Sequence, residues 1–268
     1  ETSGAVTLST ALPDTGTGPH LVLRQVVAEV LGVTLDEVEI EVATTDDFET
    51  DSGVGGSRVT HTGGRAAYHA AEKLKHQIES EASKHGIPAG SLAEVARAAA
   101  KDGRTLEASH FYDAKAHADV TSFTAQVAEV AIDPATGQVT VRHFTTAHDV
   151  GTIINPIGHQ GQIEGGLIQG LGFALMEEMR TEDGRISTLS LGDFKLPTIQ
   201  DIPPLTTVIL QDQVGPGPFN AKAIGEGSIS AVAPAIANAV ADACGVRILD
   251  LPITAEKIYF ALREKVAR

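Results

Sequence analysis

Tryptophan is absent, methionine occurs twice and aromatic residues of all kinds make up 4% of the chain. Aromatic platforms that stack bases or flat rings therefore have little to be built from. Cys244 is the only cysteine, which excludes an intrachain disulfide and any cysteine cluster for zinc or for iron and sulfur, and fits a reducing cytoplasm. Positive charge is scarce as well: 20 Lys and Arg stand against 35 Asp and Glu, a net charge of -15. That balance argues against a nucleic-acid partner and gives no attraction to an anionic membrane. No apolar run reaches the length of a membrane span, and the N-terminus lacks a basic segment followed by an apolar one, so neither a membrane helix nor a signal peptide is read here.

Glycine is what the chain has in quantity, 27 of 268 residues, and this points to many close backbone approaches. Hydrophobic content of 42% and charged content of 21% are ordinary for a globular protein, and the length suits one large domain or two lobes. The first residue is Glu1, and the alternation Ala5-Val6-Thr7-Leu8-Ser9-Thr10 begins almost at once. The chain is thus expected to start inside a fold, as a cut piece or a processed subunit would.

Residues Gly4 to Leu12 read as a strand, and Pro13 to Pro19 as a glycine-rich turn. A helix follows with the apolar stripe Val22, Val26, Val27, Val30 and Leu31, Gly32 as its cap, and then a strand at Val38 to Val42. Gly16-Thr17-Gly18 lacks the third glycine of a dinucleotide fingerprint and the lysine of a P-loop. A second glycine-rich loop, Asp51 to Thr60, opens a long helix through Ala66, Ala67, Ala70, Ala71, Leu74 and Ile78. With Ser57, Arg58 and Thr60 as donors it suits a phosphate or a polar heterocycle, and it equally suits a plain helix cap. Ile87 to Gly90 breaks the chain, and Ser91 starts a shorter helix to Lys101.

From Thr105 the period is strand-like, through Val120 to Ile132, followed by a hairpin turn at Asp133 to Gly137 and a strand from Gln138 to Thr146. A polar turn from His148 to Pro156 leads to a helix-like run, Gly161 to Gly172, rich in glycine. At about 1 kcal/mol per glycine relative to alanine, such a helix needs tertiary packing or a ligand to form. Short strands are expected near Ile186 to Leu191 and Thr206 to Leu210, and a last helix from Thr254 to Ala267. The ten histidines are scattered, with no His-Glu-x-x-His pair, which predicts no protein-ligated metal.

The stretch Asn220-Ala221-Lys222-Ala223-Ile224-Gly225-Glu226-Gly227-Ser228 ends in a carboxylate and runs into the small-residue helix pattern Ile229 to Ala243. Gly225 lets a bulky group approach the backbone, and a helix start offers positive potential. On these residues alone Glu226 reads as a catalytic candidate or as a first-turn acid that stabilises its own helix.

Four segments together resemble the molybdopterin-binding large subunit of the xanthine dehydrogenase, aldehyde oxidase and aerobic carbon monoxide dehydrogenase family. They are Asp14 to Gly18, Ser52 to Gly64, Asp149 to Gly172, and Lys222-Ala223-Ile224-Gly225-Glu226 followed by Ala235-Ile236-Ala237-Asn238-Ala239-Val240. Their order and spacing are similar to the C-terminal half of that subunit, and Leu251 to Ile258 looks like its closing segment. The resemblance implies an α+β fold of two lobes: a first α/β lobe over 1–118 with the two glycine-rich cofactor loops, and a second over 119–268 with the glycine-rich helix and the Gly-Glu loop.

The resemblance also implies a chemistry. A molybdenum hydroxylase hydroxylates an aldehyde, an N-heterocycle or a similar small molecule with water as the oxygen source, and Glu226 would be its general base at the molybdenum. The cofactor is molybdopterin, or its cytosine dinucleotide, and it carries the molybdenum, so no side chain ligates the metal directly. Gly16, Thr17, Gly18, Gly56, Ser57, Arg58, Thr60, Gln162 and Gly225 match cofactor-binding positions, Gln162 a glutamine that hydrogen-bonds the pterin. Partners would be the N-terminal half of the molybdenum subunit, an iron–sulfur subunit and an FAD subunit. Three departures stand out: Thr17 replaces the glutamine of a Gly-Gln-Gly turn, Gly227-Ser228 replaces Pro-Pro, and the first half of the subunit is missing. They leave open a second class, a non-catalytic cofactor-holding or assembly subunit.

Overall fold

The computed structural model describes residues 3–44, 46–47, 50–51, 53–114, 122–211 and 214–266. Ser52, Val120, Ala267 and the boundary at 118/119 lie outside them. The fold is α+β and forms two compact units. The first comprises the described residues of Glu1–Thr121, Gly151–Gly158 and Asp212–Ala223, and the second those of Ser122–Val150, His159–Gln211 and Ile224–Arg268.

In the first unit, β1 (Val6–Thr10), α1 (Pro19–Leu31) and β2 (Val38–Val42) form a strand–helix–strand motif, with Val6 opposite Val38 and Thr10 opposite Val42. The strands are parallel, which demands a crossover, and α1 supplies it. Pro19 begins α1 at the position where a missing N–H costs nothing, and Gly32, at φ 71°, ends it. The buried stripe is Leu23, Val26, Val27 and Val30, at the i, i+3, i+4, i+7 spacing of one helix face. Leu23, and not Val22, leads it.

Helix α2 (Val59–His85) packs on this motif, and Ala67 and Ala71 join Leu12, Leu23 and Val27 in one core. Gly64 admits Pro218, whose ring carbon would sit 2.9 Å from any Cβ there. Arg65 Nε donates to the Pro216 carbonyl at 2.8 Å, and the Thr152 amide donates to the Asn220 carbonyl at 3.3 Å. These contacts hold the later segments 151–158 and 214–221 in the first unit. A third helix, α3 (Leu92–Lys101), buries Val95 and Ala99.

No strand forms among the described residues from Thr105 to Ala114. Their carbonyls are taken by side chains of α2: Lys73 Nζ donates to Ser109 O at 3.0 Å and Gln77 Nε2 to Glu107 O at 2.9 Å. The segment is satisfied without a neighbouring strand, so its alternation does not become a ladder.

The second unit is built on a three-stranded sheet of order β3-β4-β7. The hairpin of β3 (Thr124–Ile132) and β4 (Val139–Asp149) is antiparallel, and β7 (Leu205–Leu210) runs parallel to β4. Glu129 pairs with His143 and Val130 with Val141, so Arg142 is an extra residue in β4. This bulge changes the parity of the strand. Val139 and Val141 pack on the core before it, and Phe144, Thr146 and His148 are the buried positions after it.

Helix α4 (Pro156–Leu175) starts before the glycine-rich run and contains it. It is followed by the two-residue strands β5 (Thr181–Glu182) and β6 (Arg185–Ile186). The strand expected up to Leu191 is replaced at its end by a helical turn, α5 (Leu191–Phe194), because Ser190 Oγ accepts from the Asp193 amide and caps it. The helix expected from Ile229 to Ala243 is divided into α6 (Gly227–Ser230) and α7 (Val232–Cys244). Pro234 explains the break: it has no N–H for the Ser230 carbonyl, and its ring crowds that carbonyl. A last helix, α8 (Ala255–Val266), adds Ile258 to the core. Helix α7 is 13 residues long, short of the roughly 20 that cross a bilayer, and Val232, Ile236 and Val240 are in the core.

The glycines of α4 have a packing reason. A Cβ on Gly166 would lie 2.0 Å from Ser228 Oγ, and one on Gly170 would lie 2.5 Å from Val232 Cβ. Residues 166 and 170 are one helical turn apart, as are 228 and 232, so the glycine stripe receives α6 and the start of α7 at backbone distance. Gly161 and Gly165 have nothing within 4 Å.

The seam makes a testable contrast. Gly166→Ala should destabilise the chain by about 1–3 kcal/mol, the usual cost of overpacking. Gly161→Ala meets no neighbour and should stabilise it by up to about 1 kcal/mol through helix propensity. Urea unfolding of both variants checks this. Equal effects at the two positions would refute the seam.

Candidate functional site

The stretch from Asn220 to Ser228 passes from the first unit to the second after Ala223. In the first unit it follows two left-handed residues that are not glycine, Phe219 at φ 53° and Asn220 at φ 68°. A bulky residue there is strained and needs outside support. Tyr68 of α2 supplies it, with its ring edge-on to Phe219 at a centroid distance of 5.3 Å.

The first unit also carries both glycine loops. Gly16 and Gly18 have φ of 89° and 75°, the Gly16 amide donates to Asp14 Oδ1 at 2.9 Å, and nothing lies within 4 Å of a Cβ built on either glycine. Thr17 between them is exposed. In the second loop Gly56 at φ 74° and Ser57 at φ 55° precede Arg58 in right-handed helical conformation. Such a change of hand turns successive N–H groups toward one side. Arg58 is exposed and folds back to donate from Nε to the Gly55 carbonyl. Thr60 is in the first turn of α2.

The helices that follow share a feature. Neither α1 nor α2 has a side-chain hydrogen bond at its N-cap, and neither has an acid in its first turn. Neither helix start therefore carries a capping side chain or a first-turn carboxylate of its own to compete with an anion.

In the second unit Glu226 is exposed and caps the one-turn α6, and Gly225 before it is exposed too. The carbonyl of Glu226 accepts from Ser230 Oγ at 2.9 Å. Because α6 has only four residues and α7 starts at Val232, the long helix expected directly behind Glu226 is absent. Gln162 is brought close to this turn: its backbone carbonyl accepts from Ser228 Oγ at 3.1 Å. Ser228 is fully buried.

Beneath the turn lies a polar cluster that the sequence reading missed. Thr124 faces His148, and Gln126 faces Thr146, as directly opposed pairs of β3 and β4. Gln126 Nε2 donates to Ser228 O at 2.8 Å and to Thr146 Oγ1 at 3.0 Å. Thr146 Oγ1 lies 2.7 Å from His148 Nε2, and Thr124 Oγ1 lies 3.1 Å from His148 Nδ1. His148 is 1% exposed, and burial, with His159 nearby, pushes its pKa down from 6.5 to about 4. It is neutral, so one nitrogen donates and the other accepts. Each ring nitrogen thus has a threonine hydroxyl beside it that can donate or accept, so either neutral tautomer is satisfied. The available signal was Thr124 and Gln126 standing on the strand face that continues as Ala128, Val130 and Ile132. On the β4 side the bulge hid it.

One set of potential metal ligands exists among the described residues, Glu81, His85 and Asp102, within 4.8 Å of one another. Glu81 is ion-paired with Arg104 and Asp102 with Lys84, so their charge is already balanced. The cluster is a structural ion-pair network joining α2 to the end of α3.

Comparison with known proteins gives concordant matches. Residues 1–203 match the family model of the molybdopterin cofactor-binding domain. The chain is 32% identical over 281 residues to the aldehyde oxidoreductase molybdenum-binding subunit PaoC of Escherichia coli O157:H7, covering 99% of this chain and 38% of that subunit. It is 33% identical to the gamma subunit of the 6-hydroxypseudooxynicotine dehydrogenase complex of Paenarthrobacter nicotinovorans, covering 96% of this chain and 36% of the relative. Among solved structures, quinoline 2-oxidoreductase of Pseudomonas putida 86 superposes with a TM-score of 0.88 at 29% identity, over 98% of this chain and 37% of the other. The chain thus spans little more than a third of the length of the relatives it matches.

His148 makes stability depend on pH. The unfolded chain binds the imidazole proton below about 6.5 and the folded chain only below about 4, so stability falls as pH drops through that window. The loss is on the order of 3 kcal/mol for a fully buried group. Urea unfolding at pH 7 and pH 5 should show a smaller acid loss for His148→Asn than for the parent; equal losses would place the proton elsewhere.

Proposed function

This chain belongs to the molybdopterin cofactor-binding domain family, and we propose that it is part of a molybdenum-binding subunit in which Glu226 acts as the general base. The observation that carries the reading is the placement of Glu226: exposed, on a turn anchored through Ser228 to the backbone of Gln162. The residues present fit an anionic cofactor. Two helix starts without capping side chains or first-turn acids, the first approached through Gly16 and Gly18 with open space around them, leave room for it.

The residues proposed to bind the cofactor are Gly16, Thr17, Gly18, Gly56, Ser57, Arg58, Thr60, Gln162 and Gly225. It is molybdopterin, in its plain or cytosine dinucleotide form. When bound, it supplies the two-electron oxidation at molybdenum. The reaction is R–H + H2O → R–OH + 2 H⁺ + 2 e⁻, with an aldehyde, an N-heterocycle or a similar small molecule as R–H. The electrons pass to iron–sulfur clusters and FAD on partner subunits, since a chain with one cysteine has no ligand set for a cluster. Within this balance the carboxylate of Glu226 accepts a proton from the attacking water oxygen. The N-terminal part of the molybdenum subunit completes the site, and the complex works in the cytoplasm.

A second reading is favoured by Thr17, whose short side chain spans less than the glutamine it replaces. The chain would then be a non-catalytic subunit that holds the cofactor or assists assembly. Molybdenum and pterin analysis of the complex purified with its natural partners separates the two: absence of both defeats the enzyme reading.

Gln162 gives a binding test. Its side-chain amide makes no hydrogen bond among the described residues, which leaves its donors and acceptor for the pterin. Gln162→Leu should lower cofactor occupancy in the assembled enzyme, at about 1–3 kcal/mol for each polar group left unpaired. Unchanged occupancy would return Gln162 to the helix surface.

Glu226 gives the catalytic test. Glu226→Gln keeps the shape and removes the basicity, so molybdenum content should persist while turnover falls by about 10² to 10⁴. Turnover is measured at matched molybdenum content on several aldehydes and heterocycles. A wild-type rate would make Glu226 an ordinary helix-start acid.

A further inference from the structure

The one-turn α6 has little internal support: its Ile229 amide reaches the Glu226 carbonyl at 3.4 Å, and Ser230 Oγ donates to the same carbonyl at 2.9 Å. Further support comes from outside it. Ser228 is 0% exposed, its hydroxyl donates to the Gln162 carbonyl of α4, and its own carbonyl accepts from Gln126 Nε2 of β3. The glycine at 166 lets Ser228 sink onto α4.

Gln126 is fixed in its turn. Its amide nitrogen donates to both Ser228 O and Thr146 Oγ1. Turning the amide over would set its oxygen against the Ser228 carbonyl, which has no hydrogen to offer. One orientation is therefore allowed. Gln126 Oε1 is buried without a hydrogen-bond partner among the described residues. A buried unpaired acceptor is costly, so a residue chosen for stability alone would be apolar here.

We propose that Gln126 is a positioning residue for Glu226: through the Ser228 carbonyl it holds the backbone two residues beyond the carboxylate. The proposal rests on Glu226 being the base. A carboxylate on an unheld turn samples many positions, and displacement of about 1 Å from a productive geometry costs up to about 10²-fold in rate.

The test uses the assembled complex. In Gln126→Leu, hydrogen–deuterium exchange of a peptide spanning residues 225–232 should rise about tenfold, with molybdenum content unchanged. On a substrate the parent oxidises, kcat should fall about 10- to 100-fold while KM stays within about twofold. Gly227→Ala removes the freest residue at the first position of α6, where an added Cβ meets only Thr124 Oγ1 at 3.3 Å, and added to Gln126→Leu it should restore part of kcat and slow the exchange. A merely structural role would not be rescued in this way. If Gln126→Leu does not assemble, Gln126→Asn, one methylene short of the Ser228 carbonyl, carries the same comparison. Glu226→Gln is measured beside it. A slow Glu226→Gln with a wild-type kcat for the Gln126 variant overturns the positioning role and leaves the base standing; a Glu226→Gln at wild-type rate overturns both.

Discussion

Two missing Cβ atoms govern the second unit. Glycine at 166 and 170 lets α4 approach Ser228 and Val232 at backbone distance, and any side chain at either position would overlap the atoms now there. The approach brings Leu167 and Leu171 of α4 into one core with Val232, Ile236 and Val240 of α7 and Phe144 of β4. It also sets the depth of the turn that begins at Glu226. The propensity cost of a glycine-rich helix, about 1 kcal/mol per residue, is offset by this packing at Gly166 and Gly170. At Gly161 and Gly165 nothing in the described structure offsets it.

The sheet of this unit is divided along its strands. Toward the hairpin turn its inward residues are apolar, Val130, Ile132, Val139 and Val141, and they join the common core. Toward the other end they are Thr124, Gln126, Thr146 and His148, which bond to one another and to the Ser228 carbonyl. Apolar packing would tolerate small shifts at little energetic loss, whereas hydrogen bonds fail within a few tenths of an ångström and through modest angles. Polar residues under the turn therefore exchange some stability for fixed geometry. His148 can serve there because burial keeps it neutral.

The first unit solves a different problem. Its two glycine loops each open a helix that lacks a capping side chain and early acids, although caps and first-turn acids are the ordinary means of stabilising a helix start. Leaving both out is understandable where an anionic group takes their place.

The sequence by itself determined the family, the α+β class and most elements. Patterns of glycine, proline and apolar spacing act locally, so β2 at Val38–Val42 and the long helix through Ala67 and Ile78 could be read directly. The resemblance rested on loop residues whose types follow from backbone conformation, such as Gly56 and Gly18 at positive φ. Tertiary structure decided what depends on distant partners. The segment after Thr105 is no strand because α2 side chains take its carbonyls, and the Arg142 bulge reverses which β4 residues face inward. Gln126, Thr146 and Ser228 meet only because a strand register, a bulge and a glycine seam coincide, and spacing along one chain carries no record of such a meeting.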